Sequence, residues 1–354
     1  KETNDGTTST ESIDSTEATE TTEATKSSES NETKVTEEGK EGTSYGSAKD
    51  YISFEENVKY HYEGKGNEYA TFDIYVDYIA DNKIQFRWDS GGTQSIQVID
   101  KKDNKLLETL FRAESYYREN LTSKANEKEE ILLVDPVQKG TTWQLSGNSR
   151  RTITDVEVVI TTPIGDFTTI EVTKEDNGEK ILEYYAKGTG LVKRVFKSEG
   201  EEVSSTLSKI EKNVTFPQSV SFYYPSKDLN NLLVVDREIS FKSNDITRFI
   251  LEKEYKKLDK DNISAVLSEK AKINSLYLQD DNVVYIDLSK EFVEDMNAGS
   301  SYESLILQSI ANTFATYYGV KEVYLTVDNK PYESGHYSFK KGEKIKVNTD
   351  NVLE

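Results

Sequence analysis

The chain has 354 residues, 35% hydrophobic and 31% charged, with a formal net charge of −20 at pH 7. That charge repels phosphate backbones and anionic headgroups, which weighs against nucleic acid as a partner. The chain contains no cysteine, so disulfides, thiol nucleophiles and thiolate zinc sites are excluded.

The length allows two or three folding units. No apolar run approaches the roughly 20 residues that span a bilayer as a helix. The first residue is Lys1 rather than Met, which reads as the trace of a removed leader. Residues 1–44 are Thr, Ser, Glu, Lys and Asn of low complexity, with no aromatic residue before Tyr45. Such a segment buries too little apolar surface to offset the entropy of ordering. It is read as a disordered acidic tether with an r.m.s. span of about 35–40 Å. A tether after a cleavage site suits a lipoprotein, whose lipid-bearing cysteine would precede Lys1.

Residues 45–212 read as antiparallel β. Residues 68–79 alternate around Phe72, Ile74, Val76 and Tyr78, and 84–88 around Ile84, Phe86 and Trp88. Further strands are predicted at 95–99, 106–111, 152–161, 167–173, 181–185, 191–196 and 203–210, by period-2 alternation and β-branched content. Asp176-Asn177-Gly178 supplies the positive-φ residues of a tight hairpin. The expectation is one antiparallel all-β domain, a curved sheet or open barrel, with a short helix near 113–126.

From residue 216 the pattern changes. Strands are expected at 219–224 and 232–239, then a helix over 244–258 with Ile246, Phe249, Ile250 and Leu258 as its apolar face. Strands at 273–278 and 283–288 precede a second helix over 302–318. Ser300 and Glu303 form a capping-box pattern for it. Leu305, Ile306, Ile310, Phe314 and Tyr317 line one face, and Gly319 suits the C-terminal cap. A strand at 323–327 follows. Two helices on a mixed sheet make residues 216–339 a small α+β domain. Residues 340–354 form a tail that either adds a strand at 344–347 or frays.

Three stretches in order carry a family resemblance. They are Val283-Val284-Tyr285-Ile286-Asp287-Leu288-Ser289 with Phe292, then Leu305-Ile306-Leu307-Gln308-Ser309-Ile310-Ala311-Asn312-Thr313-Phe314, then Gly319-Val320-Lys321-Glu322-Val323 with the strand after it. In sequence and spacing, residues 216–339 resemble a GerMN domain. The resemblance implies a βαβ-type domain, similar in shape to ring-building modules of secretion systems. It also implies an extracytoplasmic setting among lipoproteins and envelope proteins of Gram-positive bacteria, in sporulation or germination. The β-domain more loosely resembles regions of clostridial lipoproteins, through Ile153-Thr154-Asp155-Val156 and the stretch from Thr162 to Phe167.

Chemistry is sparse. His61 lies in an aromatic strand and His336 in a loop, neither in a catalytic pattern. Gly64-Lys65-Gly66 and Gly188-Thr189-Gly190 lack the rest of a dinucleotide fingerprint. Asp259-Lys260-Asp261 opens like a calcium loop, but Ser264 and Lys270 stand where Gly and Glu are required. Asp280-Asp281-Asn282 reads as a solvated hairpin tip. No metal, cofactor or catalytic residue is assigned. Asp287, Leu288, Ser289, Asn312, Thr313 and Gly319 are read as family-signature residues with structural roles. Trp88 and Trp143 are read as β-core residues.

The sequence thus points to a non-catalytic, membrane-anchored envelope protein. Its GerMN-like domain would assemble with another envelope protein or with itself, through sheet edges or a helix face. The alternative is binding or processing of cell-wall glycan by the β-domain. A groove there with converging acids and tryptophans favours that alternative; a filled core favours the first reading.

Overall fold

The computed structural model describes residues 45–126 and 129–353; the tether assigned to 1–44 lies outside them. Twelve strands form one antiparallel sheet. The first six are β1 (Val58–Lys65), β2 (Phe72–Ala80), β3 (Lys83–Asp89), β4 (Gln94–Lys102), β5 (Lys105–Arg112) and β6 (Glu130–Val134). The second six are β7 (Thr142–Gln144), β8 (Arg150–Thr162), β9 (Gly165–Asp176), β10 (Glu179–Ala186), β11 (Gly190–Ser198) and β12 (Glu201–Lys212). Each half is a meander, and β1 pairs with β12 to join them. Short turns make this order possible: Asn177 (φ 48°) and Gly178 (φ 93°) take left-handed geometry between β9 and β10, as the hairpin there requires.

The sheet curls until its outer strands nearly meet. Side chains close the seam: Trp143 Nε1 on β7 donates to Ile131 O on β6 at 2.9 Å, and Arg151 on β8 reaches Glu130 on β6 at 2.6 Å. The result is an open barrel. The chain before β1 crosses one end, where Ala48, Tyr51 and Ile52 join the barrel core. Asp135 accepts from Ala48 N (2.6 Å) and Ser47 Oγ (2.9 Å), and Asp50 O accepts from Gly188 N (2.7 Å), which ties this plug to two barrel turns.

No helix forms over 113–126, contrary to the sequence expectation. The backbone donors of this stretch go elsewhere: Ser115 N to Gln94 O, Leu121 N to Gln85 Oε1, Arg118 N to the Tyr317 hydroxyl, and Asn126 N to Thr109 O. A helix would need those donors for itself.

The second half holds two sheets rather than one. The first contains β13 (Phe216–Pro225), β14 (Leu232–Phe241) and, parallel to β14, the late β20 (Val352–Leu353). The second contains β15 (Ile273–Leu278), β16 (Val283–Leu288), β17 (Glu322–Val327) and β18 (Lys330–Pro331), with β19 (Ile345–Lys346) also on β17. Strands β16 and β17 are parallel and joined by helices, a βαβ unit. The helices are α1 (Thr247–Tyr255), the one-turn α2 (Glu291–Glu294) and α3 (Ser300–Tyr318). Residues 340–353 do not fray, since β19 and β20 each extend a sheet.

Helix α3 is the axis of this half. Ile306, Ile310 and Phe314 are buried, as their spacing predicts, but so are Leu307, Ala311 and Ala315, because both sheets press on it. Gly319 ends it with φ 70°, the left-handed cap that favours glycine. The predicted capping box does not form. Gly299 is the N-cap, and the Glu303 side chain turns inward to accept from Tyr332 (2.6 Å) and Ser334 and to pair with His336 Nδ1 (2.6 Å).

The expected face of α1 is also wrong. Its buried residues are Thr247, Leu251, Glu252 and Tyr255, while Ile246, Phe249 and Leu258 stand 46–51% exposed. Glu252 is held inside because its carboxylate accepts from Ile273 N (2.8 Å) and Lys256 Nζ (2.8 Å).

The two halves share a polar seam. Arg118, 1% exposed, donates to Asp77 O (2.9 Å) in the barrel and to Lys242 O (2.9 Å) and Asp245 O after β14. Ser243 Oγ donates to Val76 O (2.6 Å), and Asn244 Oδ1 accepts from Ile79 N (2.8 Å).

Candidate functional site

The signature residues of the second half are all drawn into its own framework. Asp287, near the end of β16, accepts from Thr326 Oγ1 (2.6 Å), Asn329 N (2.7 Å) and Asn274 Nδ2 (2.9 Å). Leu288 is fully buried, and its carbonyl accepts from Asp328 N. Ser289 Oγ accepts from Lys272 N (3.0 Å), and Ser289 N donates to Lys272 O (2.9 Å).

On α3, Thr313 Oγ1 accepts from Tyr223 N (2.9 Å) and Ser309 Oγ donates to Tyr223 O, so the helix satisfies one residue of the β13 backbone. Asn312 does the same for the tail: Asn348 N donates to its Oδ1 (3.0 Å) and its Nδ2 donates to Asn348 O (2.7 Å). A buried polar group costs little when so paired.

Residues 221–333 match the family model Germane, described as "Sporulation and spore germination". Residues 221–333 are a GerMN-like domain. No curated protein matches the chain. Among solved structures, a candidate lipoprotein from Clostridium perfringens is 22% identical, over 37% of this chain and 87% of that one, with a TM-score of 0.25. The tandem GerMN domains of the Bacillus subtilis sporulation protein GerM are 20% identical, over 35% of this chain and 45% of that one, with a TM-score of 0.27. A candidate lipoprotein from Parabacteroides distasonis is 12% identical, over 46% of this chain and 98% of that one, with a TM-score of 0.30.

The GerMN-like domain presents an apolar patch at the start of α1, where the N-cap residue Ile246 and Phe249 are exposed beside half-buried Ile250. The Arg248 guanidinium lies 4.3 Å over the Phe249 ring.

The open site lies instead in the barrel, a cavity of about 420 Å³. Its apolar wall includes Ile52, Ile74, Phe86, Ile99, Leu106 and Leu132. The polar wall is built from strands far apart in sequence: Gln97, Glu108, Glu130, Arg151, Lys174, Glu183 and Arg194. Trp88 packs against the barrel core and also lines the cavity, whereas Trp143 is buried. A groove with acids and a tryptophan therefore exists in the β-domain. A second hollow of about 310 Å³ shares Trp88, Ser95 and Arg194 with it and continues it toward Tyr69.

Most of these charges are committed to one another. Glu183 is buried, which pushes its carboxyl pKa up, but Arg151, Arg194 and the Tyr185 hydroxyl outweigh this and hold it down at about 2. Glu130 is likewise pushed up by burial, yet Arg151 (2.6 Å) and Lys174 (2.9 Å) bring it below the usual range. Glu108 differs. Burial raises its pKa and the Glu130 and Glu183 carboxylates add to the rise, against the hydrogen bond from Gln97 Nε2 (2.6 Å) and the more distant Arg151 cation. Gln97 Oε1 in turn accepts from Trp88 Nε1 (3.2 Å).

His61 pairs with Asp73 at 2.6 Å on β1 and β2, and His336 with Glu303; neither lines the cavity. Asp259 pairs with Arg237, and Asp281 lies 3.6 Å from Lys344. Among the described residues no cluster of three or more His, Asp or Glu side chains is placed to hold a metal. Sequence reasoning missed Glu108, Glu130, Arg151 and Glu183. The signal was a charged residue at the inward position of an alternating strand, as in Ile181-Leu182-Glu183-Tyr184-Tyr185.

Proposed function

We infer that this chain is a non-catalytic, extracytoplasmic envelope protein whose GerMN-like domain docks onto another protein of the envelope, in sporulation or germination. The observation that carries the reading is the family match over residues 221–333, on a domain whose signature side chains are occupied internally. What remains free on it is surface. The Ile246–Phe249–Ile250 patch at the N-terminal end of α1 is an exposed apolar surface of the kind that seats against a partner. No helix of the described residues is long and apolar enough to cross a membrane.

The barrel cavity favours ligand binding as a second reading. It does not favour glycan hydrolysis, which needs two carboxylates in separate acid and base roles. The pKa values of Glu108 and Glu130 are shifted in opposite directions, but Arg151 and Lys174 hold both oxygens of Glu130, and Arg151 and Arg194 hold those of Glu183, so neither offers a free carboxylate as the base.

The experiment is a pull-down from membranes with the fragment from Tyr45 onward, in parallel with the Phe249→Glu variant. Phe249 is 51% exposed, so the variant keeps the fold. A discrete envelope protein recovered by the wild type and lost with the variant is the expected result. Sedimentation over a concentration series reads self-association in the same pair. Recovery of cell-wall glycan alone, or equal recovery by both forms, overturns the docking reading.

A further inference from the structure

We propose that the barrel cavity binds an amphiphile with an apolar body and a positively charged amine head, the head seated on Glu108. The cavity has two chemically distinct walls. The apolar one, from Ile52 and Ile74 to Leu132, is aliphatic and aromatic, and the hydroxyls of the lining tyrosines Tyr51, Tyr62 and Tyr185 already donate to Tyr45 O, Leu191 O and Glu183. An aliphatic chain gains there by leaving water.

The polar wall is selective. Its three cations, Arg151, Lys174 and Arg194, are taken by Glu130 and Glu183. An anionic head would have to break those pairs. Glu108 is the one carboxylate of the wall with no cationic partner among the described residues; its hydrogen bond comes from neutral Gln97.

Strand register sharpens this. Glu108 on β5 and Glu130 on β6 are direct cross-strand partners. Arg151 and Lys174 answer the charge of Glu130, so of the two cross-strand carboxylates only Glu108 is left without a cation in contact. A folded protein keeps an unanswered carboxylate in a half-buried lining where something else answers it. An ammonium group beside Glu108 supplies the missing charge and donates hydrogen bonds to the carboxylate. The ring of Trp88, joined to Glu108 through Gln97, suits a cation as well.

The test uses the full chain and three probes of one length: nonylamine, nonanol and nonanoate, each below its micellar concentration, at neutral pH and fixed ionic strength. Binding is read from tryptophan fluorescence, and the Trp88→Phe variant shows whether the change arises in the cavity. The expected order is amine over alcohol over carboxylate, with the amine ahead of the alcohol by about tenfold or more, the scale of one charge-assisted hydrogen bond. Affinity for alkylamines should rise with chain length, which reports the apolar wall. In Glu108→Gln the amine falls to the level of the alcohol while alcohol binding persists. Because the head-group order is read on the unaltered chain, it holds even if the variant folds poorly. A signal that does not saturate, a carboxylate that binds as tightly as the amine, or an amine preference that survives in Glu108→Gln overturns the proposal.

Discussion

Replacing Arg118 by Met should uncouple the barrel from the GerMN-like domain. Methionine keeps most of the side-chain volume but removes the guanidinium. That group donates to Asp77 O in β2, to Lys242 O and Asp245 O after β14, and to the Tyr78 hydroxyl at 2.6 Å. It also stacks 4.1 Å over the Tyr78 ring and 4.9 Å over Phe241. Asp77 keeps a second cation, Arg87 at 3.0 Å, so no carboxylate is abandoned. Of the three carbonyls, Asp77 O keeps Asn244 N (3.0 Å) and Lys242 O keeps Asp245 N (3.2 Å), so the loss falls mainly on Asp245 O. An orphaned buried acceptor costs about 1–3 kcal/mol, which sets the scale of the loss. That penalty sits at the seam, so it weakens the coupling more than either half. Both tryptophans, Trp88 and Trp143, are in the barrel, and the two long helices are in the other half. Urea unfolding followed by tryptophan fluorescence and by the helical circular dichroism band therefore reads the halves separately. In the wild type the two curves should coincide; in the variant they should part, with the midpoints no longer shared. Coincident curves shifted by less than about 1 kcal/mol would refute the idea that Arg118 couples the halves.

Glu183 gives a pH prediction. Its folded pKa lies at about 2, below the ordinary value of 4.5. A depressed carboxyl stabilises the fold above the unfolded pKa and loses that contribution as pH falls from 4.5 toward 2. The difference corresponds to a loss on the order of 3 kcal/mol, and the Glu183→Gln variant should lack this part of the acid dependence of its melting temperature; equal acid profiles would argue against it. Asn312→Ala removes both bonds to Asn348. Limited proteolysis with mass spectrometry should then cut within residues 340–353 at least about tenfold faster, from a loss of roughly 2 kcal/mol of local protection, while the rest of the chain resists as before.

How legible the molecule was depends on the range of the interaction concerned. The alternation around Phe72, Ile74 and Val76, or around Ile84 and Phe86, placed β2 and β3 because one buried face imposes a period of two. The strand β6 was missed, since Ile131-Leu132-Leu133-Val134 is a continuous apolar run without alternation, and β7 is three residues long. For α1 the sequence offers two apolar stripes, one through Ile246, Phe249 and Ile250 and another through Leu251 and Tyr255. Only packing against the sheets chose the second. In the candidate site, Trp88 was noted but its setting was not readable, and Glu108 carried no motif at all.

The sequence by itself determined the acidic surface, the strand-rich first half, the tight turn at Asn177-Gly178, the two long helices and the GerMN-like signature. These follow from composition, from periodicity and from bonds between residues a few positions apart. The tertiary structure decided the rest. Closure of the twelve-stranded sheet brings Glu108, Glu130, Arg151 and Glu183 together from β5, β6, β8 and β10, and Arg118 meets its acceptors more than a hundred residues away. Register and sheet curvature set such meetings, and neither is written in any local stretch of the chain.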